Sequence, residues 1–157
     1  MDALVALALS IGVLITGWTY VALGPGALPV WAGIVAWGCF FAAGGKTEGL
    51  TKTIASNLSG VLWAFLALTA FNRFGGGTPV LSVLVGLAAI GMVLQAKIPL
   101  LSFIPGAFLG AATAVSVVVG ANGTWGRTVI ALVIGAVLGY LSEMVAGALS
   151  KPAKAAA

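Results

Sequence analysis

The sequence predicts an all-α integral membrane protein of six transmembrane helices. Charged residues make up 6% of the chain and hydrophobic residues 61%, against about 25% charged in a soluble domain. With a mean hydropathy of +1.19, it cannot build a water-facing surface. The apolar runs are each near the roughly 20 residues that cross a bilayer. Glycine, proline or charge separates them, the signals at which a membrane helix stops. Residues 1–150 therefore read as one six-span domain, and 151–157 as a disordered cytoplasmic tail.

Residues 3–45 hold no charge and are too many for one helix. Gly24-Pro25-Gly26 divides them into a first span near Leu4–Leu23 and a second near Leu28–Ala43, with Pro29 at its opening turn. Acidic Asp2 stands where a signal peptide would carry a basic residue, so the first span is expected to be retained. Gly44-Gly45 ends the second span and Lys46-Thr47-Glu48 forms a polar loop. The third span runs from about Leu50 to Phe71. After Asn72-Arg73 and the turn at Gly75-Gly76-Gly77-Thr78-Pro79, a fourth covers about Val80–Gln95. The fifth extends from Ile98 to about Val119, and Pro105-Gly106 is expected to break it, because proline removes a donor and glycine lets the freed backbone bend. Ala121-Asn122-Gly123-Thr124 turns the chain into a sixth span, Trp125 to about Leu149.

Six spans place Lys46, Lys52, Lys97, Lys151 and Lys154 on the side of both termini, with Arg73 and Arg127 opposite. The positive-inside rule makes the first side cytoplasmic. Trp18, Trp31 and Trp125 flank the outer turns as headgroup-level anchors, and Gln95-Ala96-Lys97 reads as another anchor with its lysine snorkelling outward. Trp37 and Trp63 are expected in the core. An inverted repeat of three spans plus three is a further expectation. Lys52-Thr53-Ile54, Gly60 and Phe65-Leu66 are echoed at constant spacing by Arg127-Thr128-Val129, Gly135 and Tyr140-Leu141, and Pro29 is matched with Pro99.

The chain has no histidine and a single cysteine, Cys39, in an apolar run. Histidine–cysteine zinc sites, haem ligation and Cys/His catalysis lack their residues. No metal, cofactor or catalytic residue is expected, and the protein is not expected to be an enzyme. Its net charge of +4 comes from basic residues set singly at loop ends, which does not suggest nucleic acid. Gly45-Lys46-Thr47 resembles the end of a phosphate-binding loop, but Phe40 occupies the position where that motif needs its first glycine.

The candidate residues lie on three spans. Ser56, Asn57 and Ser59 share one turn of the third, and Ser102, Thr113 and Ser116 could face them from the fifth. Such uncharged groups suit a small polar solute, and equally suit interhelical bonds worth about 0.6–2 kcal/mol each. Pro105, Gly106 and Gly110 mark the expected break and a smooth face continuing to Ala114, fit either for a pathway or for close packing. Glu143, the one acid within a span, shares a face with Gly135, Gly139 and Gly147. An ionisable group there is a functional candidate, or an interfacial acid paired with Lys151 or a neighbouring helix.

Leu58-Ser59-Gly60-Val61-Leu62-Trp63-Ala64, Gln95-Ala96-Lys97 and Leu101-Ser102-Phe103-Ile104-Pro105-Gly106-Ala107-Phe108-Leu109-Gly110-Ala111 resemble the YcdZ-type family of small bacterial inner-membrane proteins of unknown function, over residues 5–148. The resemblance implies a multi-pass inner-membrane location and supplies no substrate. The reading that joins these observations is an inner-membrane channel or facilitator for a small, mostly uncharged solute. Ser56, Asn57, Ser59, Ser102, Pro105, Gly106, Gly110, Thr113 and Glu143 are its pathway-lining candidates. The alternative is a non-transporting helper that packs against another membrane protein. Six short helices with 23 glycines bury little alone, so a homo-oligomer in the lipid bilayer is expected.

Overall fold

A computed structural model describes residues 1–150. The expected tail at 151–157 lies outside the described residues. Six α-helices follow in order: α1 Ala3–Leu23, α2 Val30–Ala42, α3 Lys46–Phe74, α4 Gly77–Leu94, α5 Ile104–Val115 and α6 Trp125–Leu149. Among the described residues there is no strand. Asp2 caps α1 by accepting the Leu4 N–H at 2.9 Å, and Thr124 caps α6 through its side chain, the residue types that satisfy the free N–H groups of a first turn.

Four helical segments are long and apolar enough to cross a membrane: α1, α3, α6, and α4 extended through a 3₁₀ turn to Lys97. The other two are shorter than expected. With 13 residues, α2 is about 20 Å long at 1.5 Å per residue, against a hydrocarbon core of about 30 Å. A 3₁₀ turn at Gln95–Lys97 precedes the expected fifth span, within which a second occupies Pro99–Leu101 before α5 begins at Ile104, and a π turn follows at Ser116–Gly120. Ile98, which precedes Pro99, is extended at φ −88° and ψ 119°, as a residue before proline prefers. Pro105 therefore sits in the opening turn of α5, where its missing donor costs nothing. Pro105-Gly106 starts a helix here; it does not break one.

The short helices are the inner ones. The two most extensive contacts are α5 on α3 and α2 on α6, while α1 lies against α6, α4 against α3, and α3 meets α6. The core joining them is mostly alanine, with Ala22, Ala32, Ala36, Ala64, Ala114, Ala131 and Ala136 around Trp18, Val61 and Leu132. In lipid there is little hydrophobic gain in bringing helices together, so small residues that admit close van der Waals contact carry the association. A Cβ at Gly60 would lie 2.8 Å from the Ala107 carbonyl carbon, and one at Gly135 would lie 2.6 Å from the Gly33 carbonyl carbon. Both inner crossings are thus glycine set directly on backbone. Large apolar side chains including Leu4, Leu9, Val13, Val83, Leu87 and Ile90 point outward, as a lipid-facing surface requires. The chain is a membrane protein.

One expected anchor, Trp18, faces inward, and a second is divided, with Lys97 exposed as expected and Gln95 turned inward. Trp18 is buried against Gly33, where a Cβ would meet its ring at 2.6 Å, and its Nε1–H donates to the Val30 carbonyl at 3.0 Å. Gln95 bonds inward to Trp63 and Ser59. Trp31 remains largely exposed at 48%, and Trp37 lies in the core as expected.

Candidate functional site

Steps of three and four along α3 put Thr53, Ser56 and Asn57 on one face, and that face is fully enclosed. The glycines of α5 bring it there. A Cβ at Gly110 would lie 2.7 Å from the Asn57 Cα, and one at Gly106 would lie 3.0 Å from the Ser56 Cβ and 2.5 Å from the Phe103 ring. Cys39 of α2 lies beside Asn57, its thiol in a weak contact with that amide that falls short of hydrogen-bond geometry. Four buried atoms of this cluster have no hydrogen-bond partner among the described residues: Thr53 Oγ1, Ser56 Oγ, and both Oδ1 and Nδ2 of Asn57. Leaving one such group unmade costs about 1–3 kcal/mol, and native interiors leave few of them.

The neighbouring polar groups are fully used, which sharpens the contrast. Trp63 Nε1–H donates to Gln95 Oε1 at 2.9 Å, Gln95 Nε2 donates to Ser59 Oγ at 2.8 Å, and Ser59 Oγ donates to the Ser56 carbonyl at 2.7 Å. Ser59 therefore ties α3 to the 3₁₀ turn that follows α4. Across the molecule Trp37 Nε1–H donates to Ser142 Oγ at 3.1 Å, and Ser10 Oγ donates to the Ser142 carbonyl at 2.9 Å, which ties α1 and α2 to α6.

The remaining candidates separate cleanly. Gly106 and Gly110 are buried positions of α5 packed against α3, Gly110 on the Asn57 backbone and Gly106 on the Ser56 and Phe103 side chains. Thr113 is buried at 6% exposure on the same helix. Ser102 and Pro105 are exposed, and Ser102 Oγ donates to the Pro99 carbonyl at 2.8 Å. Ser116 is exposed as well. Glu143 is half-buried and accepts the Lys46 backbone N–H through Oε2 at 2.6 Å, the neighbouring-helix partner that was one of its two expected roles. Thr53 was not among the candidates, although its spacing from Ser56 and Asn57 was the available signal; following Lys52, it reads as interfacial.

Residues 8–147 match a family described as a protein of unknown function, DUF1097. The chain belongs to DUF1097. It is 34% identical over 142 residues to the inner membrane protein YcdZ of Escherichia coli K12, an alignment covering 89% of this chain and 83% of that protein. The inner membrane protein YcdZ of Salmonella typhimurium LT2 is also 34% identical, over 89% of this chain and 85% of its own length. An uncharacterized protein of E. coli K12, YahC, is 30% identical over 91% of the chain and 90% of its own length. The expected resemblance to the YcdZ-type inner-membrane proteins is shown by these relatives. No solved structure matches the chain.

Proposed function

We propose that this DUF1097 protein is a multi-pass inner-membrane facilitator for a small, mostly uncharged solute, with Thr53, Ser56 and Asn57 as the polar station along its path. The observation that carries the reading is the set of four unpartnered polar atoms beside a fully bonded network. Together they offer donors and acceptors and no charge, which suits a neutral hydrogen-bonding molecule and would repel none by sign. The inner-membrane location rests on the names of the YcdZ relatives. Both termini are placed in the cytoplasm by the balance of lysines and arginines.

Six crossings and an inverted repeat belong to the same reading. A register shift of 74 carries α1 Ala3–Leu23 onto the segment Gly77–Lys97 and the start of α2 at Val30 onto that of α5 at Ile104. The same shift pairs Pro25 with Pro99, replacing the expected match of Pro29 with Pro99. One residue more pairs Gly60 with Gly135, each against the backbone of the opposite half's short helix. It also pairs Ser56 and Asn57 with Ala131 and Leu132. Thr53 is matched by Thr128, whose hydroxyl is bonded to the Thr124 carbonyl, so the unpartnered groups lie in one half alone, which supports one station per protomer.

Stopped-flow light scattering of liposomes holding the purified protein tests the reading, with urea, formamide, glycerol and short carboxylates as solutes. Accelerated equilibration that disappears in Asn57→Leu is the expected outcome. No acceleration for any solute from folded protein would overturn it. A second reading, a helper that packs against another copy or another membrane protein, is favoured by an open cleft on α1. It is lined by Ala8, Leu9, Gly12, Val13 and Thr16, and Gly12 faces open space there. Isolation of a stable complex without flux would favour it.

A further inference from the structure

The α1–α2 and α5–α6 turns enclose a cleft of about 220 Å³ whose walls include Leu28, Pro29, Trp31, Val117, Asn122 and Arg127. Arg127 is its one charged side chain, exposed in the opening turn of α6. The chain has three acidic side chains, and all lie at the opposite end. Glu143 is about 24 Å further along α6 at 1.5 Å per residue, against the start of α3. Glu48 stands in that first turn of α3, and Asp2 caps α1, which begins on the same side. Among the described residues the one ion pair is Lys52 with Glu48. Arg127 therefore has no counter-ion within reach, at the end of a bundle whose sides are apolar.

Its surroundings favour an anion of particular shape. The guanidinium fork matches two oxygens of a phosphate. The cleft also meets the start of α2, which has no side-chain cap, so free backbone N–H groups and the positive end of that helix add to the field. Asn122 is held in the left-handed region at φ +50°, placing an amide at the rim. Trp31, Leu28 and Val117 make the remaining wall apolar, which suits the glycerol and upper acyl part of a lipid better than bulk water. We infer that this cleft binds a phosphate group, supplied by an anionic phospholipid headgroup.

The test is thermal unfolding of the full chain in detergent, followed by tryptophan fluorescence, with added phosphatidylglycerol, phosphatidylcholine or inorganic phosphate. Phosphatidylglycerol is expected to raise the unfolding temperature by several degrees, as a ligand of the folded state must. Arg127→Gln and Asn122→Gly should lose most of that shift, whereas Arg73→Gln should keep it. Asn122→Gly preserves the left-handed backbone while removing the amide, so its loss reports binding and not folding. Protection by inorganic phosphate alone, lost in Arg127→Gln, would keep the phosphate site and overturn the lipid as its source. Equal protection of wild type and Arg127→Gln by phosphatidylglycerol, or no protection by any additive, would overturn the proposal.

Discussion

The Glu143 carboxylate of α6 accepts the backbone N–H of Lys46, the first residue of α3, at 2.6 Å. One helix thus caps another across the fold. Gly45, at the cap position of α3, has no side chain to do this, and a Cβ there would lie 2.7 Å from Glu143 Oε1. Lys46 itself is held at φ +56°, a conformation L-residues seldom adopt, and the bond to Glu143 helps to hold it.

Removing that cap should cost stability and leave flux intact. Glu143→Ala is expected to lose about 1–2 kcal/mol, the usual value of a cap and its charge at a helix start. Glu143→Gln, which keeps an acceptor oxygen, should lose less. Thermal unfolding in detergent ranks the two. Flux that collapses in a stably folded Glu143→Gln would return this residue to the pathway.

The glycines divide into two groups with opposite responses. Gly60→Ala, Gly110→Ala and Gly135→Ala each drive a methyl into backbone and should cost about 3 kcal/mol or more, since backbone cannot yield as an overpacked side chain can. Gly12→Ala and Gly86→Ala meet nothing within 4 Å. They should be neutral or stabilise by up to about 1 kcal/mol through helix propensity. Expression level and unfolding temperature of the five variants decide it.

Asn57→Leu should separate stability from flux. It replaces a buried, unpartnered amide by an apolar group of similar size, which is nearly neutral or stabilising when nothing was bonded. An unfolding temperature at or above wild type, together with lost solute flux, is the expected pair. A drop of several degrees would mean that the amide is bonded in the membrane.

Cys39 is the single cysteine of the chain, so the native protein reports on its own interior. Buried beside Asn57, it should resist a bulky maleimide in the folded state. A small methanethiosulfonate should react about ten times faster than the maleimide relative to their rates on unfolded protein, if water reaches the station. Equal protection against both would mean a dry site. Mass spectrometry of the labelled chain gives the ratio.

The sequence showed which segments are helical because their boundaries are chemical, at Gly24-Pro25-Gly26, Gly44-Gly45 and Gly75-Gly76-Gly77. It misjudged α2 and α5 because hydropathy measures composition, and Ile98–Phe103 is as apolar in 3₁₀ turns as it would be in a span. Trp18 was misplaced for a related reason. Its nearness to a turn suggested the interface, while Gly33, the residue that receives its ring, is adjacent only in space. The candidate site was half legible. Ser56 and Asn57 announce themselves as polar residues in an apolar run, but which hydroxyl is already bonded depends on Gln95 from another helix. Ser59 is half-buried and bonded to Gln95, whereas Ser56 is fully buried with its hydroxyl unpartnered.

The brevity of α2 and α5 has a physical consequence for any molecule that follows them. Permeation through a bilayer is limited by the length of hydrocarbon over which a polar molecule must shed its hydration. Inner helices of about 20–25 Å, α5 being continued by its π turn to Gly120, would replace a lipid barrier of about 30 Å. A station midway along them would leave two dry steps of about 10 Å each. On the facilitator reading, a resistance that grows with every ångström of oil would thereby be divided, without a continuous water-filled tube.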